Sequence, residues 1–290
     1  MKTHASDRPF QFFLITVFIL IDLLMLAPMI HLLAISMSAR VFVIAKQVSL
    51  WPRGFSIEVY KRIVTFTYLW RALGVSVFIT VVGTLLALVL SSTVAFSISR
   101  PTMKGRKIVT LGILFTFIFT APLIPTYLVV LALGMRNHLA SLIVPGALGA
   151  FYVMIMKTFF QLTPSELYDA AKIDGCNEFS IYARIVIPLS KAVLATIALF
   201  HAVNQWNAYF EALIYIRDKK LYPLQIVLRN FIIEDIAASY SSWTPDFIGM
   251  STPEMMRAGV ILFATIPILI VYPFLQKYFV KGATLGSIKG

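Results

Sequence analysis

The feature that most constrains this chain is its set of long apolar runs, each about as long as a bilayer is thick. A helix needs about 20 mostly apolar residues to cross the hydrocarbon core. Six segments meet that need: roughly Phe12–Ile35, Leu73–Phe96, Ile108–Leu133, Leu139–Phe159, Ile185–Ile216 and Ala258–Phe279. Pro145, Gly146 and Gly149 interrupt the fourth, which a bundle tolerates where neighbours satisfy the freed backbone groups. Pro122 and Pro125 lie inside the third and should kink it. Of 290 residues, 59% are hydrophobic and 13% charged, whereas soluble domains are about a quarter charged. Too few polar residues remain to cover a soluble surface. The sequence predicts an all-α membrane protein with six transmembrane helices in one domain spanning 1–290. The first run is far longer than the roughly 7–15 apolar residues of a cleaved signal, so it reads as a retained span.

The net charge is +12. In a soluble protein that excess would suggest nucleic acid. Here the basic residues flank spans and face lipid headgroups, so a bilayer is expected and no nucleic acid. An even number of spans puts both termini on one side. Lys and Arg do not choose that side by number, with twelve in each set of flanking segments. The short segment Ser97–Lys107 carries Arg100, Lys104, Arg106 and Lys107 and no acid, which favours an inside position for it and for both termini. The opposite segments, Ser36–Ala72 and Arg217–Arg257, are long, and long loops follow the rule poorly. Trp51, Pro52, Phe55, Tyr60 and Trp70 punctuate the first, and Tyr222, Tyr240, Trp243 and Phe247 the second. Both look ordered.

The most informative stretch is Thr163–Pro188, between spans four and five. Thr163 and Glu166 have capping-box spacing, with Pro164 at the first helical position. A short helix should follow over Glu166–Ile173, closed by Gly175 just past its end. Asn177 can cap a second short helix leading into span five. The product is a helix-turn-helix hairpin over 163–184. Ala170 and Ala171 give it a small surface suited to docking in a partner's groove, though they serve equally as helix filler.

Asp169-Ala170-Ala171, three residues, Gly175, nine residues, then Ile185-Val186-Ile187-Pro188 resembles the EAA loop of ABC-importer permeases, E-A-A…G…I-x-L-P. Asp169 stands for the Glu and Ile187 for the Leu; charge and bulk are kept. WPRGFSIEVY from Trp51, AFSISR from Ala95, IPTYLVVLALGM from Ile124, WNAYFEALIYI from Trp206 and FVKGATLGSIKG from Phe279 extend the likeness over nearly the whole chain. The chain is similar to type I ABC sugar-importer permeases, in the maltose-type second-permease branch for oligosaccharides and polysaccharides such as alginate. That resemblance implies a bacterial inner-membrane location with both termini cytoplasmic. It implies a second homologous permease, two ATPase subunits that bind ATP and Mg, an external solute-binding protein and a saccharide cargo. It also implies that the hairpin couples to the ATPase through Glu166, Asp169, Ala170, Ala171, Asp174 and Gly175, with the tail Gly286–Gly290 as a second contact. Rigid movement of the hairpins would drive alternating access.

Polar residues inside spans are expensive and mark candidate sites. Span five has the densest set: His201, Asn204, Gln205, Trp206, Asn207, Tyr209 and Glu211. On one continuous helix, His201, Asn204, Ala208 and Glu211 would share a face bordered by Asn207. Asn204, Gln205, Trp206, Asn207, Tyr209 and Glu211 are therefore candidates for the substrate path, amides bonding sugar hydroxyls and rings stacking on sugar faces. The same residues could instead join helices to one another. Asp22 reads as a structural polar contact, His31 as interfacial, and Lys191 as reaching the headgroups. Pro122 and Pro125 could line a cavity or simply shape the bundle. The four histidines, His4, His31, His138 and His201, are scattered and Cys176 is alone, so neither a metal site nor a disulfide is expected. There is no GxxxxGK[ST] phosphate loop, so no cofactor and no enzymatic activity are expected of this chain. Two other classes compete. An ion-coupled carrier would use Asp22, His201 and Glu211 as a relay, and a membrane scaffold would have no path at all. Within the importers, a permease for a non-sugar solute is the remaining alternative.

Overall fold

The computed structural model describes residues 8–233 and 251–286; Tyr240, Trp243, Phe247 and the tail after Gly286 lie outside it. Among the described residues all regular structure is helical. In chain order the helices are α1 (Arg8–Ser36), α2 (Arg40–Ile44), α3 (Glu58–Thr65), α4 (Thr67–Ser99), α5 (Arg106–Ile118), α6 (Leu123–Ala132), α7 (Ala140–Ile143), α8 (Ala150–Phe160), α9 (Ser165–Ile173) and α10 (Glu178–Ile181). A π-turn over Tyr182–Val186 leads to α11 (Ile187–Leu189), α12 (Lys191–Asn207) and α13 (Phe210–Tyr215). A 3-10 turn (Lys219–Leu221) precedes α14 (Leu224–Ile233) and α15 (Pro253–Gly286).

Only three of these helices are individually long and apolar enough to cross a membrane: α1, α4 and α15. The number rises to five if α5 with α6, and Glu178–Leu189 with α12, each count as one bent span. The expected third span thus exists as two helices bent by 117°. Proline chemistry explains the break. Pro122 has no N–H to donate, and it disfavours helical geometry at Ala121. Pro122 itself takes an extended conformation (φ −63°, ψ 154°) as the N-cap of α6. Pro125 then falls in the first turn of α6, where a missing N–H costs nothing. The fourth expected span is divided the same way, with Val144–Gly149 separating the four-residue α7 from α8.

The chain divides into two compact units. One comprises 1–70 with 227–267. Within it the long segment after α1 is ordered, as its aromatic residues suggested. Ser36 Oγ lies 2.8 Å from the Tyr60 hydroxyl, and Ser38 Oγ accepts from Arg53 N at 3.0 Å. Trp70 packs edge-on against Phe263 of α15, centroids 5.2 Å apart. α15 also approaches α3 closely: Gly259 sits directly over Val59 and Ile63, both fully buried.

The other unit comprises 71–226 with 268–290. Its larger core joins the C-terminal half of α4 to α8, α9, α10 and α12 through Phe96, Ile98, Val153, Met156, Phe160, Tyr168, Ala171, Ile181 and Ile197. A second core gathers Ile79, Val130, Leu142, Ile143, Tyr215 and Ile226. Asn137 closes that end. It adopts φ 61°, a value Asn tolerates, and its Oδ1 accepts from the N–H groups of Arg217 and Asp218, each at 2.9 Å. Nothing in the sequence pattern had singled out Asn137.

Candidate coupling hairpin and transport path

The hairpin forms over the expected residues, with one correction at its start. α9 begins at Ser165, and Pro164 occupies the cap position with extended ψ (138°). No side chain caps the helix. Thr163 therefore lies one residue too early for a capping box with Glu166, and that predicted motif does not form. The C-terminal end is as the sequence implies. Gly175 adopts φ +78°. Its N–H donates to the Lys172 carbonyl at 3.0 Å, and that of Cys176 to the Ala171 carbonyl at 2.9 Å. This pair of bonds is a Schellman closure, which needs a left-handed residue where Gly175 stands. Asn177 then caps α10, its Oδ1 accepting from Ser180 N at 2.8 Å.

The two alanines face opposite ways. Ala171 is buried in the core beside Tyr168 and Ile181, so it seats the hairpin on its own protein. Ala170 is exposed, as are Glu166, Asp169, Asp174 and Gly175. Two large apolar residues stand out from the same hairpin: Ile173, 87% exposed, and Phe179, 74% exposed. Neither belongs to the motif that marks the hairpin in the sequence. Alternation of Ile173 with the buried Ala171 and Tyr168 was the available signal, because at helical spacing Ile173 cannot share their face.

Span five departs further from expectation. The helix is bent by 80° at Ser190 and ends at Asn207. Ala208 is extended (φ −67°, ψ 121°) before α13 begins. Asn207 Nδ2 donates to the Val203 carbonyl at 2.9 Å, and the Ala208 N–H donates to the Gln205 carbonyl at 3.3 Å, tightening the last turn. The continuous stripe from His201 to Glu211 therefore does not exist. The polar residues fall into two groups instead. His201 and Gln205 are buried, and so is Trp206. Thr84 Oγ1 and His201 Nδ1 lie 3.1 Å apart, the Tyr152 ring meets the imidazole edge-on at 5.8 Å, and Gln205 Nε2 donates to the Leu142 carbonyl at 2.7 Å. These contacts tie α12 to α4, α7 and α8. Asn204, Asn207, Tyr209 and Glu211 are exposed. Asp22 is exposed on α1, and Lys191 is exposed at the start of α12. His31 Nδ1 lies 2.7 Å from the Ser49 carbonyl. Among the described residues no group of His, Cys, Asp and Glu could hold a metal ion.

The division makes a testable difference. The Leu142 carbonyl is one of the last of α7, whose helix stops before Pro145, so it has no helical donor ahead of it. Gln205→Leu should strand it and cost about 1–3 kcal/mol, seen as a lower apparent Tm in detergent. Asn207→Ala removes an amide bonded only to its own helix and should change stability by no more than about 0.5 kcal/mol. Equal Tm losses would show that the two groups do not differ.

Comparison with known proteins bears on what this arrangement serves. No family model matches the chain. The polygalacturonan/rhamnogalacturonan transport system permease protein YtcP of Bacillus subtilis is 40% identical over 288 residues, covering 98% of this chain and all of the relative. The chain belongs to the permeases of ABC sugar importers. The LplC protein of the same organism is 41% identical over 265 residues, covering 91% of this chain and 89% of the relative. Among solved structures, a bacterial ABC transporter involved in the import of the acidic polysaccharide alginate matches with a TM-score of 0.87 and 29% identity. The match covers 96% of this permease and 99% of that chain. The permease is a membrane-embedded transport subunit, and the secondary-carrier reading is superseded.

Proposed function

We propose that this permease forms half of the translocation path of an importer for acidic oligosaccharides, and that the hairpin 163–184 couples it to a separate ATPase subunit. The observation that carries the coupling is the hairpin itself: a rigid, Schellman-closed element seated through Ala171, with Ile173, Phe179, Ala170 and Asp169 left exposed. Exposed apolar residues of that size mark a contact surface. The hairpin lies on the cytoplasmic side, as do both termini, and the bent and broken helices complete six crossings. A second homologous permease supplies the other half of the path. Two ATPase subunits bind ATP and Mg, and an external solute-binding protein delivers cargo. Asn204, Asn207, Tyr209 and Glu211 are the exposed polar groups at the broken end of span five and form the path lining; buried Gln205 and Trp206 hold it in shape.

The acidic class of cargo is supported by the full-length likeness to a permease named for polygalacturonan and by the fold match to an alginate importer. The test is uptake of labelled oligogalacturonides into proteoliposomes containing both permeases and the ATPases, with the solute-binding protein added. ATP-dependent uptake that neutral maltodextrins do not compete away is expected. Uptake driven by an ion gradient without ATP would overturn the coupling, and competition by neutral maltodextrins would overturn the acidic class.

A further inference from the structure

We propose that Arg100 is a positioning residue that fastens both arms of the hairpin to the end of α4, so that movement imposed on the hairpin passes into a membrane span. The proposal rests on the reading of 163–184 as the coupling element. Arg100 directly follows the last residue of α4, where the carbonyl end of the helix favours a cation. It is only 9% exposed. Its guanidinium lies 3.8 Å over the ring of Tyr168, in the first arm. Its Nε lies 3.5 Å from Glu178 Oε2, in the second arm. One side chain therefore reads both arms at once. Lys172 Nζ, near the end of α9, reaches the other oxygen of Glu178 at 3.5 Å, so the acid joins α9 to α10 and both to Arg100.

Two further contacts extend the attachment up α4. Ser92 Oγ lies 2.7 Å from the Tyr182 hydroxyl, and the Phe96 and Tyr182 rings sit 5.3 Å apart. Tyr182 opens the π-turn. The attachment needs arginine: a flat guanidinium can stack on a ring and pair with a carboxylate, whereas an ammonium offers charge without a face. The hairpin also keeps its own apolar seat through Tyr168, Ala171 and Ile181. Without Arg100 it should remain folded and docked but turn loosely against α4, absorbing displacement instead of transmitting it.

The test uses the whole importer in proteoliposomes, in a Cys176→Ser background with Tyr209→Cys as reporter. The quantity read is the change in labelling rate by a membrane-impermeant maleimide when ATP and Mg are added. Arg100→Gln should retain its co-purifying ATPase, while the ATP-induced change falls at least about fivefold. Arg100→Lys should fall between, because charge alone survives. An Arg100→Gln importer whose ATP-induced change stays within about twofold of the parent would overturn the proposal. Should that variant not assemble, Glu178→Gln decides, since it removes the shared acid at a half-exposed position. The same loss supports the proposal, and an unchanged response overturns it. Ile173→Asp separates this proposal from its foundation. Loss of the co-purifying ATPase is expected there; normal ATPase recovery would overturn the coupling reading and this proposal with it, whereas an unaffected Arg100→Gln overturns the attachment alone.

Discussion

Replacing Gly175 with proline should leave the permease inserted in the membrane and abolish its ATP-driven transport. Gly175 sits at φ +78°, and proline is locked near −65°. The substitution also removes the N–H that Gly175 donates to Lys172 and disturbs the neighbouring bond from Cys176 to Ala171. The Schellman closure of α9 is then lost. No atom lies within 4 Å of where a β-carbon would be added, so the site demands a backbone conformation and not space. That distinction predicts a graded series. Asn tolerates left-handed backbone and should transport nearly as the parent does. Ala pays about 1–2 kcal/mol for the same conformation and should be intermediate. For Pro, uptake should fall by more than about tenfold, as a loss above about 1.4 kcal/mol in the docked geometry requires. Membrane insertion is read from the amount of purified protein, and coupling from uptake per ATP hydrolysed. Parent-like coupling in Gly175→Pro would rule out a rigid hairpin as the transmitting element.

The second large effect should come from Gly259. A β-carbon there would collide with Cγ1 of Val59 and lie 3.0 Å from Cδ1 of Ile63. Val59 is 0% and Ile63 2% exposed, so neither has solvent to retreat into. In an unobstructed helix, Gly→Ala gains about 1 kcal/mol. Here overpacking of about 1–3 kcal/mol opposes that gain, and because the obstacle is a β-branched side chain the loss should win. Gly259→Ala should lower the apparent Tm, Gly259→Leu should prevent recovery of folded protein, and Val59→Ala should partly rescue Gly259→Ala. Gly112, in α5, has nothing within 4 Å of its added carbon. Gly112→Ala should therefore match or exceed the parent's Tm. A destabilised Gly112→Ala beside a neutral Gly259→Ala would invert the packing argument.

What the sequence disclosed about this permease follows the range of the forces involved. Gly175 and Asn177 were legible because a helix stop and a helix cap are decided within a few residues of backbone. The placement of α1, α4 and α15 was legible because lipid imposes one requirement along a whole segment. The capping box failed on a single residue, since Pro164 could serve either as the first helical residue or as an extended cap, and the structure takes the second. The stripe on span five failed because it assumed one helix through Ala208, where Asn207 ends it. Arg100 was visible only as one basic residue in a short segment. Its role depends on Tyr168 and Glu178, far along the chain, and no periodicity announces such a meeting. The same is true of the partition of His201, Gln205 and Trp206 from Asn204 and Asn207: neighbours in sequence, they point to different surroundings.

α1 behaves as a mast. From Phe10 to Leu33 no side chain is buried, and burial begins only at Ala34. Polar contacts moor its foot: Ser36 to Tyr60, Ser38 to Arg53 and to the Ala34 carbonyl. Its 29 residues make a rod about 43 Å long, against a hydrocarbon core of about 30 Å. A rod held near its C-terminal end, by His31 against the Ser49 carbonyl as well as at Ser36 and Ser38, and longer than its medium is thick can lean from there. Bilayer thickness should therefore set its tilt, and a change of lipid would reach the rest of the permease as a torque on Ser36 and Ser38.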